Sequence, residues 1–255
     1  MKPKLFDTHA HLTWGETYLH LPEILNRAKE IGVERIVNIC TDQETLLRGL
    51  ELGKKENFIF NSGATTPHDV EKEGERLFPL FAKAARDKEL LAIGETGLDY
   101  FYEHSNKKIQ QEFFIRYLHL AKACHLPVII HCRNAFDDLY AHLDQEFSGK
   151  VLLHCFTGSY EEAKKGVDRG FLISMSGIAT FKKSSSLRET FAKLPSKNLV
   201  IETDTPYLAP QSKRGKGSNE PSYILETCQV LADIKKRSLE EMAKITFENA
   251  NQFFF

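Results

Sequence analysis

The sequence predicts an α/β fold of the (β/α)8 TIM-barrel type, and three observations favour it. Eight short apolar runs alternate with segments of helical periodicity along the chain, without a break in composition. Short apolar strands separated by helices pair in parallel and are buried on both faces, and eight such units suit a chain of 255 residues. Polar residues also cluster where the apolar runs end, at the strand termini on which such barrels build their sites. A doubly wound open sheet is the alternative architecture.

The elements are predicted in chain order from apolar periodicity and from helix-ending residues. The first strand lies within residues 4–12, and a single helix follows over residues 17–31, which Gly32 ends. Further strands are predicted at 35–40, 58–62, 90–95, 128–131, 150–154, 171–175 and 199–204. Helices are predicted between them at 42–56, 71–87, 105–125, 135–147, 160–169 and about 185–194. Residues 1–255 are predicted to form one domain, with two extra helices at about 221–233 and 239–253.

Composition restricts the function classes only weakly. The chain has 34 basic and 35 acidic residues, so any attraction for an anion must be local. No run of residues is long and apolar enough for a membrane span, and no apolar signal segment precedes the first strand. Five scattered cysteines without a CxxC pair are typical of reduced thiols. We therefore expect a cytoplasmic protein that does not contact membranes and is a monomer.

The end of the first strand carries two histidines, His9 and His11, that are separated by one residue. Because side chains alternate along a strand, both imidazoles point to the same face, with Cβ atoms about 6–7 Å apart. Both rings can then reach one metal ion. Asp7 has the same parity and is expected one layer deeper in the barrel. The alternative is that two exposed histidines lie on an edge strand.

Four further predicted strand ends carry a potential metal ligand, and each ligand shares its parity with interior apolar residues. With the two histidines of the first strand they make a set of six residues: His9, His11, Glu95, His131, His154 and Asp204. Each buried polar group without a partner costs about 1–3 kcal/mol, so six inward polar groups at one end of a barrel are difficult to leave unpaired. A metal centre resolves that difficulty.

Six ligands are more than one ion needs if it keeps positions for water and substrate, so two divalent ions are expected. Glu95 is suited to bridge them, since its strand lies between the strands of the other ligands. Two ions, two carboxylates and one hydroxide leave a net charge of about +1, which favours an anionic substrate. Asp204 can accept the proton of the nucleophile while it holds its metal, so Asp204 and Glu95 are the expected catalytic residues.

Several motifs along the chain resemble those of the TatD family of metal-dependent deoxyribonucleases, whose barrels belong to the wider amidohydrolase group. The resemblance runs from Phe6 to about residue 253. The motifs are Asp-Thr-His-Ala-His-Leu (7–12), Gly-Glu-Thr-Gly-Leu-Asp-Tyr (94–100), Leu-Pro-Val-Ile-Ile-His-Cys-Arg (126–133), His-Cys-Phe-Thr-Gly (154–158) and Glu-Thr-Asp-Thr-Pro-Tyr-Leu (202–208). Asn-Glu-Pro (219–221), with Arg214 before it, resembles the stretch that follows the family's eighth strand.

The resemblance implies a metal-dependent 3′-to-5′ exonuclease that acts on DNA, with single-stranded DNA as the expected partner. It also implies that one ion is held by His9, His11, Glu95 and Asp204, and that Glu95 with His131 and His154 holds the other. After the third strand the family usually has Gly-x-His-Pro-His-Asp. This chain has Gly-Ala-Thr-Thr-Pro-His-Asp at 63–69, with one histidine fewer and one residue more.

Basic residues follow the last two strands, where barrels commonly hold phosphate. Lys182 and Lys183 follow the seventh strand, whereas Lys213, Arg214 and Lys216 follow the eighth. Arg214 and Lys216 are the predicted substrate-binding residues, and the alternative is that both loops are merely solvated. We assign none of the six remaining histidines to the metals.

Two other functions use the same predicted ligands. The first is hydrolysis of a D-aminoacyl-tRNA ester, with tRNA as the partner, and the second is a metal-binding scaffold without catalysis. The complete set of six ligands argues against the scaffold. Nitrogen-rich ligation suits Zn²⁺ or Mn²⁺, whereas the family resemblance implies Mg²⁺, so the identity of the two ions stays open.

Overall fold

The computed structural model describes residues 2–255 and confirms the predicted (β/α)8 barrel. Its eight strands form one parallel sheet in the order β1 to β8. The strands are β1 (Leu5–Ala10), β2 (Val33–Cys40), β3 (Ile59–Gly63), β4 (Ala92–Asp99), β5 (Val128–Arg133), β6 (Val151–Leu153), β7 (Leu172–Met175) and β8 (Leu199–Ile201). A bridge between Ala10 and Thr205 brings the chain after β8 beside the end of β1.

Ten α-helices are found among residues 2–255. They are α1 (Gly15–Leu19), α2 (Leu21–Ile31), α3 (Gln43–Lys55), α4 (Val70–Arg86), α5 (Lys107–Cys124), α6 (Phe136–Glu146), α7 (Tyr160–Asp168), α8 (Ser185–Lys193), α9 (Ile224–Lys235) and α10 (Leu239–Phe254). Within the same residues, no helix is both long and apolar enough to cross a membrane.

The chain forms two compact units. The first comprises the residues up to Asn38 together with His154–Phe255, and the second comprises Ile39–Leu153. In the first unit, α10 packs on β1, where the Phe6 ring lies 5.6 Å from that of Phe254. In the second unit, α4 and α5 pack together beside β4. The single-domain organisation stays a prediction.

Side-chain caps fix the first turns of several helices. Asp42 begins α3 in a reciprocal capping box with Thr45, and Ser159 begins α7 in another with Glu162. In each box the capping side chain accepts a hydrogen bond from a backbone amide that has no partner within the helix. These caps explain why both helices begin within one residue of the predicted positions.

The prediction of a single helix over residues 17–31 is wrong, because the structure has two helices that meet at His20. Pro22 lies in the first turn of α2, where a missing N–H loses no helical hydrogen bond. In an uninterrupted helix, the proline ring would clash with the preceding turn. The proline therefore divides the amphipathic segment, and only its second part packs as a long helix.

Candidate metal centre

Three of the predicted ligands meet in the first unit. His9 lies near the end of β1 and His11 directly follows the strand, and their Nε2 atoms are 3.3 Å apart. Asp204 Oδ1 lies 3.7 Å from the Nε2 atom of each histidine. Ligands of a tetrahedral ion with bonds of about 2.0–2.2 Å are separated by about 3.3–3.6 Å. These three donors therefore fit one divalent metal ion.

Backbone hydrogen bonds hold Asp204 beside the two histidines. The Asp204 amide donates to the His9 carbonyl at 2.9 Å, and the His11 amide donates to the Thr205 carbonyl at 2.7 Å. Asp204 has a φ of 60°, in the left-handed region that few non-glycine residues adopt. The prediction that Asp204 ends the eighth strand is wrong, since β8 ends at Ile201. The chain turns after the strand, and this turn carries the carboxylate.

The buried carboxylate of Asp7 stabilises this turn through hydrogen bonds with Thr203. Its carboxylate accepts hydrogen bonds from the Thr203 hydroxyl at 2.6 Å and from the Thr203 amide at 2.9 Å. Burial raises the pKa of Asp7 to about 7, although the hydrogen bonds from Thr203 and from the His9 amide act in the opposite direction. Asp7 is fully buried, as its parity predicted, and it connects β1 to the loop that carries Asp204.

His154, which directly follows β6, lies against His9. The two rings are stacked, with centroids 3.9 Å apart. Nδ1 of His154 lies 3.4 Å from Oε1 of Glu202, and that oxygen also accepts a hydrogen bond from the Cys155 amide at 2.7 Å. A carboxylate behind a histidine fixes the orientation and tautomer of the ring, so that its other nitrogen can bind a metal.

Glu202 is fully buried beside His154. Burial alone raises the pKa of this carboxyl, but the hydrogen bond and charge of His154, together with the charge of His9, outweigh it and lower the pKa. Sequence reasoning missed Glu202, although it lies two residues before Asp204 and shares its parity. We interpret Glu202 as a positioning residue for His154.

In the second unit, His131 lies between two carboxylates. Its Nδ1 is 3.2 Å from Glu95 Oε1, and its Nε2 is 2.8 Å from Asp99 Oδ2. Burial raises the pKa of Asp99, but hydrogen bonds from His131 and from the amides of Tyr102 and Phe101 lower it to about 2. An ionised Asp99 holds the Nε2 proton of His131, so that the Nδ1 atom, which faces Glu95, is the nitrogen that could bind an ion.

Glu95 is not at the end of its strand, contrary to the prediction, because β4 continues to Asp99. The pairing of β4 with β5 is irregular between Ile93 and Thr96, around Glu95. Such an irregularity changes the direction of one side chain without ending the strand. A Cβ at Gly97 would lie 1.9 Å from the His131 carbonyl oxygen, so only glycine permits this close approach of β4 to β5.

The loop after β3 places His68 beside Asp99. Nε2 of His68 lies 3.7 Å from Asp99 Oδ2, and the His68 ring lies 5.4 Å from that of His131. Ser105 holds the loop by donating a hydrogen bond to the His68 carbonyl at 2.7 Å. His68, Asp99 and His131 could together hold a cation, a grouping that sequence reasoning did not anticipate. The available signal was Pro-His-Asp at 67–69, which matches part of the family's pattern for this loop.

The predicted substrate-binding residues lie on the loop after β8. Arg214 and Lys216 are both exposed, and the Arg214 guanidinium lies 4.3 Å from the centre of the Phe181 ring. The backbone turns at both residues, where the Arg214 amide donates a hydrogen bond to the Pro210 carbonyl and the Lys216 amide donates one to the Lys213 carbonyl. The role of this loop in binding substrate stays a prediction.

Two exposed aromatic rings lie next to the histidine pair of the first unit. The Tyr207 ring approaches the His11 ring at 5.7 Å, and Trp14 lies 5.9 Å from Tyr207. Both aromatic side chains remain almost half exposed. They form an apolar wall beside a candidate metal ligand.

Comparison with known proteins assigns the chain to a family. The family model described as TatD related DNase matches residues 6–255. The chain belongs to the TatD family. It is 39% identical to the uncharacterised metal-dependent hydrolase YabD of Bacillus subtilis over 252 residues, which cover 98% of both chains. It is 35% identical to the uncharacterised metal-dependent hydrolase YcfH of Escherichia coli over 265 residues, covering 98% of this chain and 95% of YcfH.

The fold is also that of a solved TatD homologue. The crystal structure of YjjV from Escherichia coli superposes with a TM-score of 0.91 at 29% identity, covering 98% of this chain and 97% of YjjV. Membership in the TatD family and the clusters of metal-ligand residues identify the chain as a metal-dependent hydrolase.

Proposed function

We propose that this TatD-family hydrolase is a deoxyribonuclease that removes nucleotides from the 3′ end of single-stranded DNA. The observation that carries the proposal is the presence of histidine nitrogens and carboxylate oxygens at ligand spacing in both units: His9, His11 and Asp204 in one, Glu95 and His131 in the other. In a (β/α)8 barrel, the carboxyl ends of all strands open at one end. The proposal therefore includes two divalent ions, with Glu95 as the predicted bridge and His154 as the sixth predicted ligand.

The chain's own residues prepare the centre for hydrolysis. Asp99 and Glu202 lie behind His131 and His154 and each faces one ring nitrogen, so that the other nitrogen of each ring is the one that would bind a metal. When bound, two divalent ions would polarise the phosphoryl oxygens and lower the pKa of the attacking water. Asp204, held rigidly by its backbone hydrogen bonds, accepts the proton of that water.

A phosphodiester is the substrate that matches the remaining features. The predicted net charge of about +1 at the centre attracts an anion. Arg214 and Lys216 are exposed on a loop where barrels commonly bind phosphate, and a guanidinium can hold two phosphate oxygens at once. Exposed rings such as Trp14 and Tyr207 provide surfaces on which the bases of a single strand can stack.

The test is hydrolysis of a single-stranded oligonucleotide, labelled at either end, by protein loaded with Mg²⁺, Mn²⁺ or Zn²⁺. We expect metal-dependent loss of nucleotides from the 3′ end and little turnover of D-aminoacyl-tRNA. Asp204→Asn should lower kcat by up to about 10²–10⁴-fold, because the amide cannot accept the proton. Hydrolysis of D-aminoacyl-tRNA with the oligonucleotide left intact would contradict the proposal.

A further inference from the structure

A second aromatic surface lies after β4, and the chain's first-unit site does not include it. It consists of Phe101, Tyr102, His104 and Arg133, which we call the aromatic platform. Phe101 is 52% exposed and Tyr102 is 50% exposed, although large apolar rings are usually buried. The two rings meet edge to face at 4.9 Å, and the His104 ring stacks parallel to Tyr102 at 5.5 Å. The platform is therefore a preformed surface of stacked rings that faces solvent.

A cation lies on this surface. The Arg133 guanidinium is 3.8 Å from the centre of the Phe101 ring and 4.7 Å from that of Tyr102. A planar guanidinium on an aromatic face keeps hydrogen-bond donors available at its edge and can also stack against another flat group. The platform thus presents flat rings and a positive charge side by side, which is the pairing of groups that a nucleotide requires.

One carboxylate connects the platform to the candidate ligand His131. Asp99 Oδ2 lies 2.8 Å from His131 Nε2, while Asp99 Oδ1 accepts hydrogen bonds from the amides of Phe101 at 2.9 Å and Tyr102 at 2.8 Å. Arg133 lies two residues after His131 on the same strand. The position of the platform is therefore fixed relative to His131 by Asp99 and by β5.

We propose that the platform stacks a nucleobase at the 3′ end of a DNA single strand, next to the phosphodiester that is cleaved. The inference rests on the proposed function and specifies how that site holds its substrate. Stacking on aromatic rings tolerates any base sequence, because every base has a flat face, and it contributes about 1–3 kcal/mol per base. Arg133 binds the neighbouring phosphate through its guanidinium edge.

The chain contains a matched control for the platform. Phe255 is 57% exposed and carries the guanidinium of Arg35 at 4.4 Å from its ring centre. This pair has the same chemistry as Phe101 with Arg133. It lies at the end of α10 and beside β2, however, and not after a strand that carries a candidate ligand. Loss of the Phe255 ring therefore measures the effect of removing an exposed phenylalanine as such.

The experiment measures base stacking by fluorescence. The probe is a single-stranded oligodeoxynucleotide with 2-aminopurine as its 3′-terminal base and a phosphorothioate at the last linkage, which slows cleavage. Wild-type protein should quench the probe on binding. The double variant Phe101→Ala, Tyr102→Ala should quench it less and bind it about 10-fold more weakly, as expected for a stack of 1–3 kcal/mol. Phe101→Tyr should retain the quenching, and Phe255→Ala should match the wild type.

Two outcomes separate this inference from the proposed function. If the double variant quenches and binds the probe as the wild type does, the platform does not stack the base, whatever the rate of hydrolysis. If quenching depends on the platform but the wild-type protein releases no nucleotide from an unmodified strand, the stacking proposal is supported and the proposed nuclease activity is contradicted. Equal rates of hydrolysis for strands with a normal and an abasic 3′ end would also overturn the stacking proposal.

Discussion

At the scale of single residues, Asp99 connects the candidate ligand His131 to the aromatic platform. One of its oxygens holds His131 and the other holds the backbone of Phe101 and Tyr102. Asp99→Asn replaces the negative charge behind His131 and should lower metal affinity by about 10–100-fold. Isothermal titration with Mn²⁺ or Zn²⁺ measures this change. Asp168→Asn is the control, because that exposed carboxylate pairs with Lys164 at the surface, and equal affinities for both variants would exclude the positioning role.

Single-residue patterns indicated candidate ligands that the structure brings close together within each unit, but not the residues that orient them. Strand parity placed His9 and His11 on one face, and the structure brings their Nε2 atoms to 3.3 Å. Asp99 and Glu202 were missed because a supporting carboxylate is defined by the histidine it faces. That partner lies on a different strand, and the spacing of residues along one strand does not show which side chains meet across the sheet.

At the scale of elements, the close approach of β4 and β5 depends on Gly97, which has no side chain. Gly97 has a φ of 143°, and an added Cβ would meet the His131 carbonyl oxygen at 1.9 Å. Gly97→Ala should therefore separate the two strands at His131 and lower both thermal stability and metal affinity. Gly170→Ala is the matched control, because Gly170 also has a positive φ, 80°, but open space around it.

The two glycine variants separate backbone conformation from steric overlap. Gly170→Ala should cost about 1–2 kcal/mol, the penalty for a left-handed residue with a Cβ. Gly97→Ala should cost more, since overlap with a carbonyl is added to that penalty. Thermal unfolding in the presence and absence of metal measures both effects. If Gly97→Ala is no more destabilising than Gly170→Ala, the strands do not require this glycine.

An ion pair between Arg27 of α2 and Glu220 connects the loop after β8 to that helix. Arg27 donates three hydrogen bonds to Glu220, and the carboxylate is almost completely buried. Burial raises the pKa of Glu220, but the hydrogen bonds from Arg27 and Ser222 outweigh this effect and lower it. A depressed folded-state pKa stabilises the protein above the unfolded value of about 4.3, and this stabilisation disappears as the pH falls through the folded value.

Arg27→Gln should therefore destabilise the protein by about 1–3 kcal/mol at pH 7 and by clearly less at about pH 2.5, well below the unfolded pKa of Glu220. Urea unfolding at the two pH values measures the difference. Arg116→Gln is the control, because its partner Glu75 is exposed and such surface pairs contribute about 0–1 kcal/mol. A loss of stability for Arg27→Gln that does not change with pH would mean that the arginine acts by packing.

Element positions were predicted from the sequence more accurately than element ends. The helix caps at Asp42 and Ser159 are local signals, and the predicted starts lie within one residue of the observed ones. The extents of β4 and β8 were wrong because a strand ends where its neighbour no longer pairs with it. That limit depends on the register of β4 with β5 and on the turn at Asp204, and both are tertiary features.

At the scale of the whole molecule, the alternation of apolar runs and helices, together with the polar residues at the strand ends, favoured the barrel over a doubly wound sheet. Eight parallel strands in sequential order follow from eight βα units, because short crossovers place consecutive strands side by side. Separations between ligand atoms are a different kind of information. They depend on irregular backbone, such as the left-handed Asp204 and the uneven pairing around Glu95, which periodicity does not encode.

The central proposal is that six residues hold two metal ions with Glu95 between them. Equilibrium dialysis of the purified protein against Mn²⁺ or Zn²⁺, followed by elemental analysis, tests it most directly. The proposal predicts about two ions per chain for the wild type and for Asp168→Asn. It also predicts that Glu95→Ala weakens both sites together. A single ion in the wild type, or one ion retained at full affinity in Glu95→Ala, would contradict it.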